Sequence, residues 1–147
     1  MEKLNLPEYN FKIKNRNGKI AIFDSIRKKY VVLTPEEWVR QNFVEYLNQY
    51  LNYPKSLVKL ETGLKYNQLK KRSDILVFDR EGAPFMLVEC KSPKVSINQK
   101  AFDQAAGYNY TIKAPYIVVT NGIKHYCCKI DHTSRKISFQ AQLPRFS

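Results

Sequence analysis

No stretch of this chain approaches the roughly 18 uninterrupted apolar residues of a membrane span. The opening Met1-Glu-Lys-Leu-Asn-Leu-Pro7 lacks the apolar core of a secretion signal. Cysteine is scarce: Cys90, Cys127 and Cys128 make an odd count with no CxxC spacing, which argues against a disulfide scaffold or a paired zinc site. They are expected to be ordinary strand cysteines in a reducing cytoplasm. There is no repeat and no Gly/Ser-rich linker, so the 147 residues are expected to form one domain, soluble and cytoplasmic, with no membrane partner. No phosphate-binding GxxxxGK[ST] loop or helicase motif occurs, so nothing here can power a motor with ATP. Base readout by a helix-turn-helix or zinc finger is equally missing.

What the chain has in excess is positive charge. Lys and Arg number 25 against 13 Asp and Glu, a formal net charge of +12. On so small a body that is a field able to draw in a polyanion such as nucleic acid.

Local pattern gives the order of elements. Residues 11–23 alternate around Asn15-Arg-Asn-Gly18, which predicts a β-hairpin, followed by a short Tyr30-Val-Val-Leu33 stretch. Thr34-Pro35-Glu36-Glu37 is a helix start, and Val39, Phe43, Tyr46, Leu47 and Tyr50 recur at helical spacing up to Asn52-Tyr-Pro54. Glu36, Arg40, Phe43 and Leu47 share one stripe of that helix. Strands are expected over 57–64, 74–78 and 84–91, with Asp79-Arg-Glu-Gly82 as a turn. A second helix is expected over 98–113, with Ala101, Phe102, Ala105, Ala106 and Ile112 on its packing face and Asn109 interrupting it. Strands over 116–120, 125–130 and 137–141 complete a mixed α/β fold around one sheet.

One stretch carries chemistry. In Phe85-Met-Leu-Val-Glu89-Cys-Lys91, alternation sets Leu87, Glu89 and Lys91 on one face of a strand and Met86, Val88 and Cys90 on the other. Two charges thus end an apolar strand side by side, and unpaired buried charge is costly. Asp74 opens the neighbouring strand. Two carboxylates suit a hard divalent cation such as Mg²⁺, and a lysine beside them can offset charge on a phosphate in its transition state. A cross-strand ion pair at a sheet edge would use the same residues.

Asp74, with fourteen residues before Glu89-Cys-Lys91, resembles the signature of the PD-(D/E)XK, or restriction-endonuclease-like, nuclease superfamily. More narrowly, the chain resembles the N-terminal nuclease domain of type I restriction enzyme R subunits, as a small stand-alone form. The resemblance rests on an ordered set: Pro35-Glu-Glu-Trp-Val-Arg-Gln41, Lys71-Arg-Ser-Asp74-Ile75, Leu87-Val-Glu-Cys-Lys-Ser-Pro93, Gln104-Ala-Ala-Gly-Tyr108-Asn109 and Ala114-Pro-Tyr-Ile-Val-Val-Thr-Asn-Gly122. Ser73 stands where the motif name has proline.

The resemblance implies a restriction-endonuclease-like core, a mixed central sheet flanked by helices, over residues 34–130. Residues 1–33 form a hairpin extension outside it, and residues 131–147 a last strand and tail. It implies a Mg²⁺-dependent DNA endonuclease, with Mn²⁺ able to substitute. Asp74, Glu89 and the backbone carbonyl of Cys90 would be metal ligands and Lys91 the catalytic lysine. Glu36 would join from the first helix, in preference to Glu37, with Gln104 and Tyr108 from the second. Lys65, Lys70, Lys71 and Arg72, just ahead of Asp74, form a basic cluster suited to guiding a DNA backbone in. A separate motor or specificity subunit and a homodimer are the protein partners this implies. The competing reading is a non-catalytic nucleic-acid-binding or interaction module that keeps the nuclease fold.

Overall fold

The computed structural model describes residues 1–60 and 74–147. At the N-terminus, β1 (Ile13–Arg16), β2 (Lys19–Asp24) and β3 (Lys29–Val32) form an antiparallel sheet in that order. The first turn follows from Asn17 and Gly18, which take φ of 54° and 83°, the left-handed pair a tight two-residue hairpin needs. The extension is thus more than a hairpin, because Tyr30-Val31-Val32 adds a third strand, with Phe23 opposite Tyr30. The second turn is closed by Asp24, whose Oδ1 accepts from the backbone N–H groups of Ile26 and Arg27 at 2.9 and 2.8 Å.

Helix α1 (Pro35–Glu45) starts where Thr34 Oγ1 accepts from the Glu37 N–H at 3.0 Å. It ends in a π-helical turn, Tyr46–Tyr50, closed by the Leu51 N–H on the Tyr46 carbonyl at 3.2 Å. That wider turn shifts the periodicity. Val39, Phe43 and Leu47 are buried as the spacing predicts, but Tyr50 swings out to 48% exposure and Leu51 takes the inward position.

The main sheet has six strands in the order β4 (Val58–Leu60), β5 (Ile75–Phe78), β6 (Pro84–Cys90), β7 (Tyr116–Thr120), β8 (His125–Asp131) and β9 (Lys136–Gln140). Pairing is antiparallel except between β6 and β7, which run parallel and are joined by α2 (Gln99–Ile112). A parallel pair requires such a crossover. Of the strand expected over 57–64, Val58–Leu60 forms, and residues beyond 60 lie outside the described part.

The sheet divides two apolar layers. Val39 and Phe43 of α1, with Leu47 of the π-helical turn, meet Ile75, Val77, Met86, Val88 and Cys90 on one face. Ala101 and Ala105 of α2 meet Leu87, Ile117 and Val119 on the other. The expected alternation along β6 holds. Burying each large side chain here contributes about 1.5–3 kcal/mol. In α2 the expected face needs one correction: Ala106 is exposed, being one residue past the buried stripe of Ala101, Ala105 and Asn109. Asn109 belongs to that stripe because it closes the helix end. Its amide donates to the Ala114 carbonyl and accepts from the Ala114 N–H, both at 2.8 Å. Among the described residues, no helix is long and apolar enough to cross a membrane.

Candidate active site

Register delivers Asp74 and Glu89 to the same end of the sheet. Ile75 pairs with Val88, so one step further along the antiparallel ladder sets Asp74 opposite Glu89. Both are buried at the rim of the sheet. The Asp74 carboxylate is tightly held: Oδ2 accepts from the Cys90 N–H at 2.8 Å, and Oδ1 accepts from Arg40 Nη2 at 2.7 Å. The Cys90 side chain points away into the α1 layer, which leaves its backbone at the site. Burial, then the charge of Asp74, pushes the Cys90 thiol well up, so it stays neutral.

Glu89 is the anomalous acid. Its Oε2 is buried and has no hydrogen-bond partner among the described residues, while Oε1 lies 3.8 Å from Lys91 Nζ. Burial raises its pKa, Asp74 raises it further, Lys91 pulls it back, and the result is about 8. Two carboxyls sharing a poorly solvated corner cannot both ionise cheaply.

Lys91 follows β6 directly, its backbone N–H continuing the ladder to the Thr120 carbonyl at 2.8 Å. Its ammonium donates to Gln104 Oε1 of α2 at 3.2 Å. Glu36 sits in the first turn of α1, half exposed, and its pKa is raised by burial and by Asp74 while Arg40 and Lys91 oppose the rise. The structure therefore brings Asp74, Glu89, Lys91, Glu36 and Gln104 into one electrostatic group. Glu37, the alternative on α1, turns inward instead and is buried between Arg27 and Arg40. Tyr108, one turn after Gln104, is half-buried against the α2 layer. Lys65, Lys70, Lys71 and Arg72 lie outside the described residues.

Arg40 was legible only as a member of the Glu36 stripe. In the structure it is the hub of the site's support. It reaches Asp74, Glu37 at 2.6 Å and Glu36 at 3.2 Å. Glu37 in turn meets Arg27 at 3.3 Å and Gln41 at 2.8 Å, and both of those reach the fully buried Asp24. The sequence signal was the pair of acids three and four residues before Arg40. The links to Asp24 and Asp74 are long-range and left no local trace.

Carboxylate oxygens are the donor type that a hard divalent cation takes. Glu89 Oε2 lacks a partner among the described residues, and burial, then Asp74, raises the Glu89 pKa, so a cation here would offset a charge that the fold alone leaves costly. Among the described residues no group of three or more His, Cys, Asp or Glu side chains is arranged to hold a metal ion. The set here is two buried carboxylates beside a strand backbone.

The family model described as the type I restriction enzyme R protein N terminus matches residues 35–144. Among solved structures, a fragment described as that of an HsdR subunit of a type I restriction enzyme from Vibrio vulnificus YJ016 aligns with 24% identity and a TM-score of 0.40. The alignment covers 60% of this chain and 16% of that one. No curated protein matches.

Proposed function

This chain belongs to the type I restriction enzyme R protein N-terminus family, and on that premise we propose that it is a metal-dependent DNA endonuclease of the restriction or defence type. The observation that carries the reading is the buried pair Asp74 and Glu89, with Glu89 Oε2 unpartnered and Lys91 beside it. Asp74, Glu89 and the Cys90 carbonyl are the groups that would hold Mg²⁺, or Mn²⁺ in its place. When bound, such an ion supplies charge withdrawal from the phosphate and a water of lowered pKa. Lys91 keeps its ammonium at the mouth of the site, held by Gln104, where it pairs with a phosphate oxygen and offsets the charge gained during hydrolysis. Glu36, half exposed at the same mouth, is placed to accept a proton from an incoming water. Tyr108 is proposed to act from the same helix as Gln104, and residues 65–72 to guide the DNA backbone.

A second reading is favoured by one observation. Arg40 already neutralises Asp74, as it would in a chain that keeps the fold to bind nucleic acid without cutting it. Cleavage of supercoiled plasmid with Mg²⁺ or Mn²⁺, beside EDTA and Asp74→Ala controls, separates the two. Metal-dependent nicking that Asp74→Ala abolishes supports the endonuclease. Salt-sensitive binding without nicking supports the binding module, or a nuclease that works only with a separate motor or specificity subunit, or as a homodimer.

A further inference from the structure

The three-stranded N-terminal sheet lies ahead of the matched residues 35–144, and one of its faces has the character of a ligand surface. The register puts Lys14 opposite Ala21, Arg16 opposite Lys19, and Ala21 opposite Val32. Lys12, Lys14, Arg16 and Lys19 therefore share a face with Ala21, Phe23, Tyr30 and Val32. The other face carries Ile22 and Asp24, both fully buried. The sheet's single acid, Asp24, is thus turned away from the cations.

The cations on the open face are exposed, and three of them lie over aromatic rings. Lys14 Nζ sits 3.9 Å from the centroid of the Tyr30 ring, and the Arg16 guanidinium 5.8 Å from the same ring. Lys12 Nζ lies 5.6 Å from the Phe23 ring. Phe23 and Tyr30 meet edge to face at 5.2 Å, so the platform under the cations is itself packed. Ring contacts of this kind restrain a long side chain without cancelling its charge.

We propose that this face is a docking surface for the phosphate backbone of duplex DNA, formed by Lys12, Lys14, Arg16 and Lys19. Residues two apart on a strand are about 6.7 Å apart and face the same way, so the cations form a row that can follow the regularly spaced charges of a duplex backbone. Lys12, Lys14 and Arg16 lie over the Phe23 and Tyr30 rings and compete with unpaired bases for stacking on them, which favours a duplex over a single strand. The face rests on the reading of the chain as one that works on DNA. It adds a binding surface remote in sequence from the carboxylates, and the ion pairs from Arg27 to Glu37 and Arg40 to Asp74 fasten the sheet to them.

The test is binding of a 30-base-pair duplex of mixed sequence, in EDTA, across a series of salt concentrations. Three proteins are compared: the unaltered chain, Lys14→Glu/Arg16→Glu, and Lys129→Glu/Lys136→Glu, which makes the same charge change at exposed positions of β8 and β9. The first variant is expected to bind about tenfold or more weakly, with the slope of log affinity against log salt reduced by about 2, one unit per lost phosphate contact. The second is expected to stay within about threefold. Equal losses in both variants would mean that only net charge matters, and would overturn the proposal. An unchanged affinity in Lys14→Glu/Arg16→Glu, or no duplex binding by the unaltered chain, would also overturn it. Because EDTA removes any cleavage, failure to cut plasmid would leave this result standing, and loss of this surface would leave the nuclease reading standing.

Discussion

Arg40 and Asp74, 34 residues apart in sequence, meet at 2.7 Å with both side chains largely buried, and this contact joins α1 to the β5 end of the site. Burial works against the Arg40 charge, but Asp74 and Glu37 outweigh it and raise its pKa. Removing the guanidinium leaves two buried carboxylates without their main cation. Arg40→Met is expected to lose about 3 kcal/mol of stability in urea unfolding. Added Mn²⁺ should recover more of that loss in the variant than it adds to the unaltered chain, because the metal replaces the missing charge. A variant as stable as its parent would show that the pair is energetically neutral.

Glu89 predicts a pH dependence of opposite sign to the usual carboxylate. Its pKa is near 8 in the folded chain and close to 4.5 unfolded. The folded state therefore holds more protons between those values, so this contribution is complete below about 4.5 and is lost as pH rises through about 8. Glu89→Gln, which imitates the protonated form, is expected to flatten stability over that window and to be the more stable protein at pH 9. Cation uptake at pH 7 should release close to one proton in the unaltered chain, read as a dependence of binding heat on the buffer's ionisation enthalpy. Glu89→Gln should release none and cut no DNA, while binding DNA as before.

Lys91 and Gln104 should separate in their effects. Lys91→Ala removes the ammonium beside the phosphate site and is expected to lower cleavage by 100-fold or more, with duplex affinity little changed. Gln104→Ala removes only the acceptor that orients Lys91 Nζ at 3.2 Å, and a loss of about tenfold is expected. The double variant should be no worse than Lys91→Ala alone. If the two losses multiply, Gln104 acts on substrate independently.

How far the sequence reached is clearest in this corner. Alternation along β6 was enough to set Glu89 and Lys91 apart from Cys90, because successive side chains of any strand point to opposite faces. The Thr34 cap and the Asn17-Gly18 turn were visible because their chemistry is local. The third strand of the N-terminal sheet was not, since Tyr30-Val31-Val32 is too short to declare a partner. The π-helical turn was hidden for a related reason: Tyr46 and Tyr50 stack at 5.2 Å and satisfy a regular helix pattern on paper. The ion pairs about Arg40 join segments whose proximity only the folded chain creates.

Those ion pairs predict a coupling. Arg27 and Arg40 both bind Glu37, at 3.3 and 2.6 Å. Each single change to Ala should destabilise by about 2–3 kcal/mol. The Arg27→Ala/Arg40→Ala double variant should depart from additivity by at least about 0.5 kcal/mol, measured as a double-mutant cycle in urea. Additive losses would mean that the N-terminal sheet and the site are held independently.

His125 predicts an acid limb. The ring bridges two segments: Nε2 lies 2.9 Å from the Asn5 carbonyl and Nδ1 lies 2.7 Å from Thr120 Oγ1, which itself accepts from the Gly122 N–H. A neutral ring with its proton on Nε2 satisfies both contacts, donating to Asn5 and accepting from the Thr120 hydroxyl. Burial lowers its pKa below the ordinary 6.5, against a smaller opposing effect from the Asn5 hydrogen bond. The unfolded chain therefore takes up the proton first, and stability must fall as pH drops below about 6.5. Glu89 has the opposite slope in part of this range, so the measurement belongs in the Glu89→Gln background. There, stability is expected to decline from pH 6.5 to pH 5, and His125→Gln should remove most of that decline while lowering stability at pH 7. A decline that survives His125→Gln unchanged would place the acid sensitivity in the buried carboxylates around Arg40 instead.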